Sequence, residues 1–304
     1  MDFIINKFKN LHLHTEYSLN DSVIRIPQLV KTLKEYKQDT CAITDHSSCA
    51  GWIEFNQECE KNNIKPIFGN EFYCQPNYEK KTKDRDHLVV LAKTDEGVKR
   101  IRELQKIAVE NFYYKPILSY ETLLQNTDGL YCTSACSLGT ISKLLLNNNY
   151  EKAYDFAGTL YDAFNKDFSL ELQMHPGYAD QRIINFELLR LHDETGIPLT
   201  VSTDAHFINE ENRDLRRVVQ ASAWHKLYTE IQETLKSNCV GNDEIVKQNA
   251  VEAHFRETDI VEKAIKQTDK IAKTCNGKLP TPKREIPVFD KYTRYEELLA
   301  QQIW

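Results

Sequence analysis

Long apolar runs are missing from this chain. The longest, such as Leu88 to Ala92, cover about five residues, far below the ~20 that a helix needs to cross a bilayer. That shortage argues against a membrane protein. The N-terminus carries an acid at position 2 and has no apolar core segment, so no secretory signal is expected and a cytoplasmic chain is. CxxC pairs are absent as well. The eight cysteines lie mostly inside apolar runs (Cys41, Cys74, Cys132, Cys239), which excludes a secreted disulfide framework and leaves small buried thiols. An excess of positive charge is also lacking. With 39 basic and 45 acidic residues the net charge is −6, which argues against a broad basic footprint for nucleic acid. It leaves room for a nuclease whose positive field comes locally from bound cations. Disordered, collagen-like and repeat compositions are excluded too. What remains is an ordinary globular composition, 41% hydrophobic and 28% charged over 304 residues, enough for one large domain or two medium ones.

Between residues 8 and 207, short apolar runs alternate with amphipathic segments. Strands are expected at Phe8–His14, Thr40–Asp45, Lys65–Phe72, His87–Ala92, Gly129–Thr133, Phe168–Leu172 and Pro198–Thr203. Pro27 opens a helix with Leu29, Val30, Leu33 and Tyr36 on one face. Further helices are expected at Ala50–Asn62, Asp95–Glu110 and Gln181–Thr195, the last ending at Gly196. This order implies a mostly parallel α/β sheet with helices outside, and six or seven strands in about 200 residues suit a closed or nearly closed β/α barrel. After residue 208 helices dominate (Glu210–Ala223, Tyr228–Ser237, Asp259–Cys275), followed by an extended stretch, Leu279–Phe289, and a short terminal helix. The expected division is therefore a barrel over 1–208 and a helical appendage and linker over 209–304.

Histidines carry the strongest signal. His12-Leu13-His14 ends the first strand, and the period of two puts both imidazoles on one side. Asp204-Ala205-His206 ends the last strand with the same spacing. Thr44-Asp45-His46 ends the second, Glu71 sits late in the next, and His87 opens another. Imidazole and carboxylate are ligands that zinc and manganese accept. One such motif is weak evidence, but three at strand ends, where a β/α fold places its site, are not. Asp45, expected to point away along its strand, suits a catalytic supporting role as the partner that orients a histidine. His192, His225 and His254 read as ordinary core or surface residues.

The segments LHLHTEYSLND, AITDHSSCAG, IKPIFGNEFY, HLVVLAKT, TSACSLG, LELQMHPG and VSTDAHF resemble, in order, the motifs of the PHP (polymerase and histidinol phosphatase) family. The resemblance is greatest to the PHP domain at the N-terminus of bacterial DNA polymerase III alpha subunits. It extends through PVFDKYTRYEELLAQQIW, which is similar to the segment joining that domain to the polymerase body. It implies a distorted (β/α)7 barrel holding up to three divalent ions. The implied ligands are His12, His14, Asp21, His46, Glu71, His87, Cys136, Asp204 and His206. Asp21 and Cys136 come from the resemblance alone, although a thiolate is a sound zinc ligand. An intact ligand set favours an enzyme over a scaffold. Ser47 departs from the pattern, standing where a glycine usually follows the TDH motif.

Zinc and manganese are the expected ions, with magnesium behind them. Such a cluster supplies hydroxide at neutral pH and holds the oxygens of a phosphate. His175, in Met-His-Pro-Gly after a strand, is a candidate contact for the scissile phosphate. Lys80, Lys81 and Arg85 in one loop and Arg102 on the next helix are candidate contacts for a polynucleotide backbone. The leading expectation is a metal-dependent 3′–5′ exonuclease of proofreading type, acting on single-stranded DNA or a frayed 3′ end. Two other readings are a phosphomonoesterase of the histidinol-phosphatase type and a non-catalytic subunit that docks a replicative polymerase or other replication factor through Tyr292–Trp304. Polymerase activity is excluded, since no polymerase carboxylate motif is present.

Overall fold

Alternation of short buried runs with amphipathic helices produces a ring of strands with helices outside it. The computed structural model describes residues 7–79, 82–231 and 235–281. Its first half runs α1 (Ile26–Glu35), β1 (Thr40–Ile43), α2 (Trp52–Lys61), β2 (Lys65–Gln75), β3 (Asp86–Ala92), α3 (Asp95–Glu110), β4 (Leu118–Ser119), α4 (Tyr120–Leu124) and β5 (Leu130–Thr133). It continues through α5 (Thr140–Leu146), α6 (Tyr150–Ala163), β6 (Phe168–Gln173), α7 (Ala179–Thr195), β7 (Leu199–Ser202), α8 (Arg213–Trp224), α9 (Asp243–Glu252) and α10 (Thr258–Thr274). Pro27 does sit in the first turn of α1, which buries Leu29, Val30 and Leu33. The Thr94 hydroxyl caps α3, and Gly196, at φ 71°, ends α7 in the left-handed conformation that glycine adopts without strain. Among the described residues, no helix is long and apolar enough to cross a membrane.

The seven-stranded sheet has the order β1-β2-β3-β5-β6-β7, with β4 pairing the far end of β2. Pairs β1–β2, β5–β6 and β6–β7 are parallel, while β3 runs antiparallel to both its neighbours. Residues 8–14 form bridges in place of the expected regular strand. Asn10 pairs with Cys41 on one side and Leu13 with Ala205 on the other, so this segment joins the two ends of the sheet. Each neighbour is met through a single bridge, so no continuous ladder forms there.

Reversal of β3 positions the site. Parallel strands bring their C-terminal ends to one mouth of a barrel, and a histidine opening a parallel strand would sit at the opposite mouth. Because β2 returns directly into β3, His87 at the start of β3 lies across from Tyr73, two residues beyond Glu71.

The segment after 208 packs on the ring. Val240, Val246, Ala250, Val261, Ala264 and Ile265 belong to the same buried core as the strands. Main-chain N–H groups of Phe8 and Lys9 donate to the Asp243 carboxylate and the Thr268 hydroxyl. Of the helix expected over 228–237, the described residues instead form a 3-10 turn at Tyr228–Glu230 and a turn at 236–237. Polar side chains take the backbone elsewhere there. Glu230 accepts from the Leu227 N–H, and the Asn238 amide donates to the carbonyls of Thr203 and Asp204. The expected terminal helix Tyr292–Trp304 and most of the Leu279–Phe289 stretch lie outside the described residues.

Candidate metal centre

Nine side chains from seven segments converge at the mouth where β1, β2, β5 and β7 end and β3 begins. Glu71 is the hub. One of its oxygens lies 3.2 Å from His12 Nε2 and 3.0 Å from His87 Nδ1, and the other 3.3 Å from His14 Nε2 and 2.7 Å from His46 Nδ1. Asp204 Oδ1 is 3.2 Å from His12 Nε2 and 3.3 Å from His14 Nε2. Asp21 Oδ2 is 2.9 Å from His46 Nε2 and 3.2 Å from His206 Nε2. Cys136 Sγ completes the group, 3.5 Å from His87 Nδ1. All are buried or nearly so. The side-chain trios His14–His46–His206, His12–His14–Glu71 and His46–Glu71–His87 each bring three ligand atoms close enough to share an ion.

Tight turns after the strands aim these groups. Ser47, Ala135 and Asp204 each have left-handed backbone, at φ 40°, 58° and 47°, and each lies beside or within a ligand pair or loop. Gly139 allows the close pairing of the Cys136 loop with His87. A methyl at position 139 would stand 2.3 Å from the Ser134 carbonyl oxygen and 3.3 Å from that of His87.

Ser47 explains why glycine suits its position. Holding a side chain at positive φ costs about 1–2 kcal/mol, and its buried hydroxyl has no hydrogen-bond partner. Ser47→Gly is therefore expected to stabilise the fold by about 1 kcal/mol after glycine's own entropy cost. Urea unfolding of both proteins at equal metal content measures this, and a loss of stability would show that the hydroxyl contributes.

Hydrogen bonds fix which nitrogen each ring presents. His12 Nδ1 lies 2.7 Å from the Glu171 carboxylate, which can only accept, so the proton is on Nδ1 and Nε2 faces the cluster. His206 Nδ1 donates to the Asp204 carbonyl at 2.7 Å, with the same result. His14 Nδ1 donates to Ser18 Oγ, whose own proton goes to Asp45 at 2.6 Å. Asp45 also accepts from the N–H and hydroxyl of Thr15. It points away from the cluster and orients His14 through Ser18, a positioning role.

Charge in the cluster is only partly settled by the protein itself. Burial and the neighbouring His46 and His206 push His14 down to about 3. Burial opposes charge on His46, but Glu71 and Asp21 push it up to about 10. Against burial, the histidines hold Glu71, Asp204 and Asp21 below the usual carboxylate range. Burial and Glu71 raise the Cys136 thiol. Five buried polar atoms here, His12 Nε2, His14 Nε2, His46 Nδ1, Glu71 Oε2 and Asp204 Oδ1, have no hydrogen-bond partner although they face one another. Buried nitrogen and carboxylate oxygen atoms gathered in this way fit cations of the sort that N and O ligands bind.

A cavity of about 330 Å³ opens over the cluster, lined by Asp21, His46, His87, Cys136, Asp204 and His206 with His175, Arg216, Gln220 and Trp224. His175 is held by Ser237 at 2.7 Å and Gln173 at 3.1 Å, and burial pushes it down to about 4, so it is neutral at pH 7. Arg85 is committed to the Tyr113 carbonyl at 2.5 Å and the Lys83 carbonyl at 2.9 Å. Neither Arg85 nor Arg102 lines this cavity. Lys80 and Lys81 lie outside the described residues.

Sequence reasoning missed Glu171, Ser18, Arg216 and Gln220. Glu171 left a signal, a carboxylate inside the otherwise apolar strand Phe168–Gln173. The others left none.

A family model described as PHP domain matches residues 10–175. Asp204 and His206 lie beyond the matched region. The chain is 36% identical over 221 residues to the DNA polymerase III subunit alpha of Borreliella burgdorferi, covering 70% of this chain and 19% of that protein. It is 32% identical over 309 residues to the DNA polymerase III subunit alpha of Campylobacter jejuni, covering 95% of this chain and 25% of that protein. It thus spans about a fifth to a quarter of the length of these curated relatives. An amidohydrolase from Chromobacterium violaceum, solved with bound sulfate and no metal, aligns with a TM-score of 0.42 at 11% identity, over 65% of this chain and 87% of that one.

Proposed function

This chain belongs to the PHP family, and from that premise we propose that it is a metal-dependent phosphoesterase, a 3′–5′ exonuclease hydrolysing DNA phosphodiesters. The observation that carries the reading is the convergence of nine ligand-type side chains, five of which turn buried polar atoms without a hydrogen-bond partner toward one another. We assign up to three ions, zinc or manganese, to His12, His14, Asp21, His46, Glu71, His87, Cys136, Asp204 and His206. When bound, such ions activate a water nucleophile and neutralise charge on a phosphate. In this reading residues 1–208 carry the ligand set, 209–304 form the helical appendage, and the protein works in the cytoplasm.

The chain's own groups have separate tasks. Glu171 holds His12, and Asp45 holds His14 through Ser18, so both rings keep Nε2 turned inward. His175 lines the cavity as a neutral ring, but Ser237 and Gln173 occupy both its nitrogens, so contact with a phosphate would require the Gln173 bond to give way. Trp224, 54% exposed at the rim, offers a face on which the terminal base of a single strand can stack. Of the basic residues proposed for a polynucleotide backbone, Arg102 is exposed and available, Arg85 is held by the Tyr113 and Lys83 carbonyls, and Lys80 and Lys81 lie outside the described residues. Similarity to polymerase alpha subunits supports a replication setting, with a polymerase or other replication factor as partner.

One observation favours a second reading. A cavity of about 330 Å³ is near the lower end of small-molecule sites, which suits a phosphomonoesterase as well as a single terminal nucleotide.

Incubating the protein with 3′-labelled and 5′-labelled single-stranded oligonucleotides in EDTA, zinc, manganese or magnesium separates the readings. Metal-dependent shortening from the 3′ end, absent in the His12→Ala/His14→Ala double variant, is expected. Intact oligonucleotides alongside hydrolysis of small phosphate monoesters would replace the nuclease with the second reading.

A further inference from the structure

Asp21 is held from outside the strand ring. Its side chain is 27% exposed, the most open of the carboxylates in the cluster, and it sits on a loop, so its rotamer is the least constrained by the ring itself. The constraint comes from α8. Arg216 Nη2 donates to Asp21 Oδ1 at 2.6 Å, Arg216 Nε donates to the Asp21 carbonyl oxygen at 2.8 Å, and Gln220 Nε2 donates to Oδ1 at 3.0 Å. Positions 216 and 220 are one helical turn apart, so both side chains leave the same face of α8.

This arrangement divides the carboxylate. Two donors occupy Oδ1, and Oδ2 alone is left toward His46 and His206. The third donor, to the main chain of the same residue, fixes the loop as well as the side chain. Turning the carboxylate to present both oxygens to one ion would break two hydrogen bonds to a guanidinium and an amide that are themselves nearly buried. Arg216 also places a fixed positive charge beside a ligand, where the described segment offers Asp21 no other arginine or lysine contact.

We propose that α8 is part of the metal centre, with Arg216 and Gln220 acting as positioning residues that commit Asp21 to binding an ion through Oδ2. The proposal rests on the metal-centre reading above and extends it to a helix that carries no ligand. It also means that the functional unit runs past residue 208. Outer partners that hold a ligand are commonly worth 10–100-fold in metal affinity. The loss should fall on the one ion that Asp21 helps to hold and spare the others.

The test uses the full chain as wild type, Arg216→Ala, Arg216→Lys and Gln220→Ala, with Arg190→Ala as a surface control. Each is stripped with EDTA and titrated with zinc alone against a competing chelator, with bound zinc counted by mass spectrometry, and the wild type is titrated in parallel with manganese alone. In Arg216→Ala one equivalent is expected to bind about 10–100-fold more weakly, the others unchanged. Arg216→Lys should recover only part of the affinity, because a single ammonium cannot grip the carboxylate and carbonyl together. Gln220→Ala should show a smaller loss at the same equivalent. Should Arg216→Ala fail to fold, as judged by circular dichroism, the lysine and Gln220 variants carry the comparison. Equal affinity in all variants, with zinc bound by the wild type, overturns the proposal and leaves the metal centre standing. A wild type that binds no zinc and no manganese overturns both.

Discussion

Glu71→Gln is expected to abolish metal-dependent hydrolysis, lowering kcat/KM by at least about a thousandfold, because a site that loses its ion loses the activated water. Glu71 is the residue that every neighbouring ring depends on. Its two oxygens reach His12, His87, His14 and His46, all at 3.3 Å or less. Glutamine keeps the size of the side chain, so packing survives. It removes the charge, and its amide turns an N–H₂ toward ring nitrogens that must stay free to bind. Two of the three ligand trios include Glu71, so bound metal should fall along with activity. Hydrolysis of a labelled oligonucleotide and the metal content of the dialysed protein measure both effects. A variant keeping a tenth of the activity with a full metal complement would remove Glu71 from the ligand set.

The second large effect is thermal. Stripped of metal, the protein is expected to melt roughly 5–10 °C lower than when a single ion is present at about a hundredfold over its Kd. The reason lies in the unpaired atoms. His12 Nε2, His14 Nε2, His46 Nδ1, Glu71 Oε2 and Asp204 Oδ1 are buried and face one another without a hydrogen-bond partner. An ion bound among them stabilises only the folded chain, since the ligands come from positions 12 to 206 and are scattered when it unfolds. Calorimetry with zinc, with manganese and with EDTA gives the midpoints, and added EDTA should reverse the gain. A midpoint that no divalent ion moves would argue that the cluster is held by protons alone.

Much of this site could be read from residue order. TDH and DAH each follow a strand end and HLH lies in the bridged segment beside them, so each places a candidate ligand pair or neighbour by spacing that needs no tertiary knowledge. Glu71 and His87 could be picked as candidates, but how they meet could not, because the reversal of β3 depends on a direct return from β2 and the alternation of apolar residues reads the same in either direction. Asp21 and Cys136 are chemically unremarkable in sequence. One sits in a turn, the other in a small-residue loop, and only the family pattern marked them. Helices α4, α5, α6 and α9 give no signal that separates them from the surrounding loops, and at Tyr228–Glu230 a side-chain bond that no periodicity records accompanies a 3-10 turn where a helix is expected. Arg216 and Gln220 illustrate the limit. Their partner lies 195 and 199 positions away, and nothing near either residue points to it.

Joining the sheet through residues 8–14 has a consequence in time. That segment meets Ala205 on one side, and its first residues bond Asp243 and Thr268, 235 and 259 positions later. Contacts this distant in sequence slow folding, since a long loop must close before they contribute. During synthesis, His12 and His14 emerge first and wait for Asp204 and His206 while nearly two hundred residues are added. In the proposed reading, the full ligand set therefore exists only once residue 206 has been added.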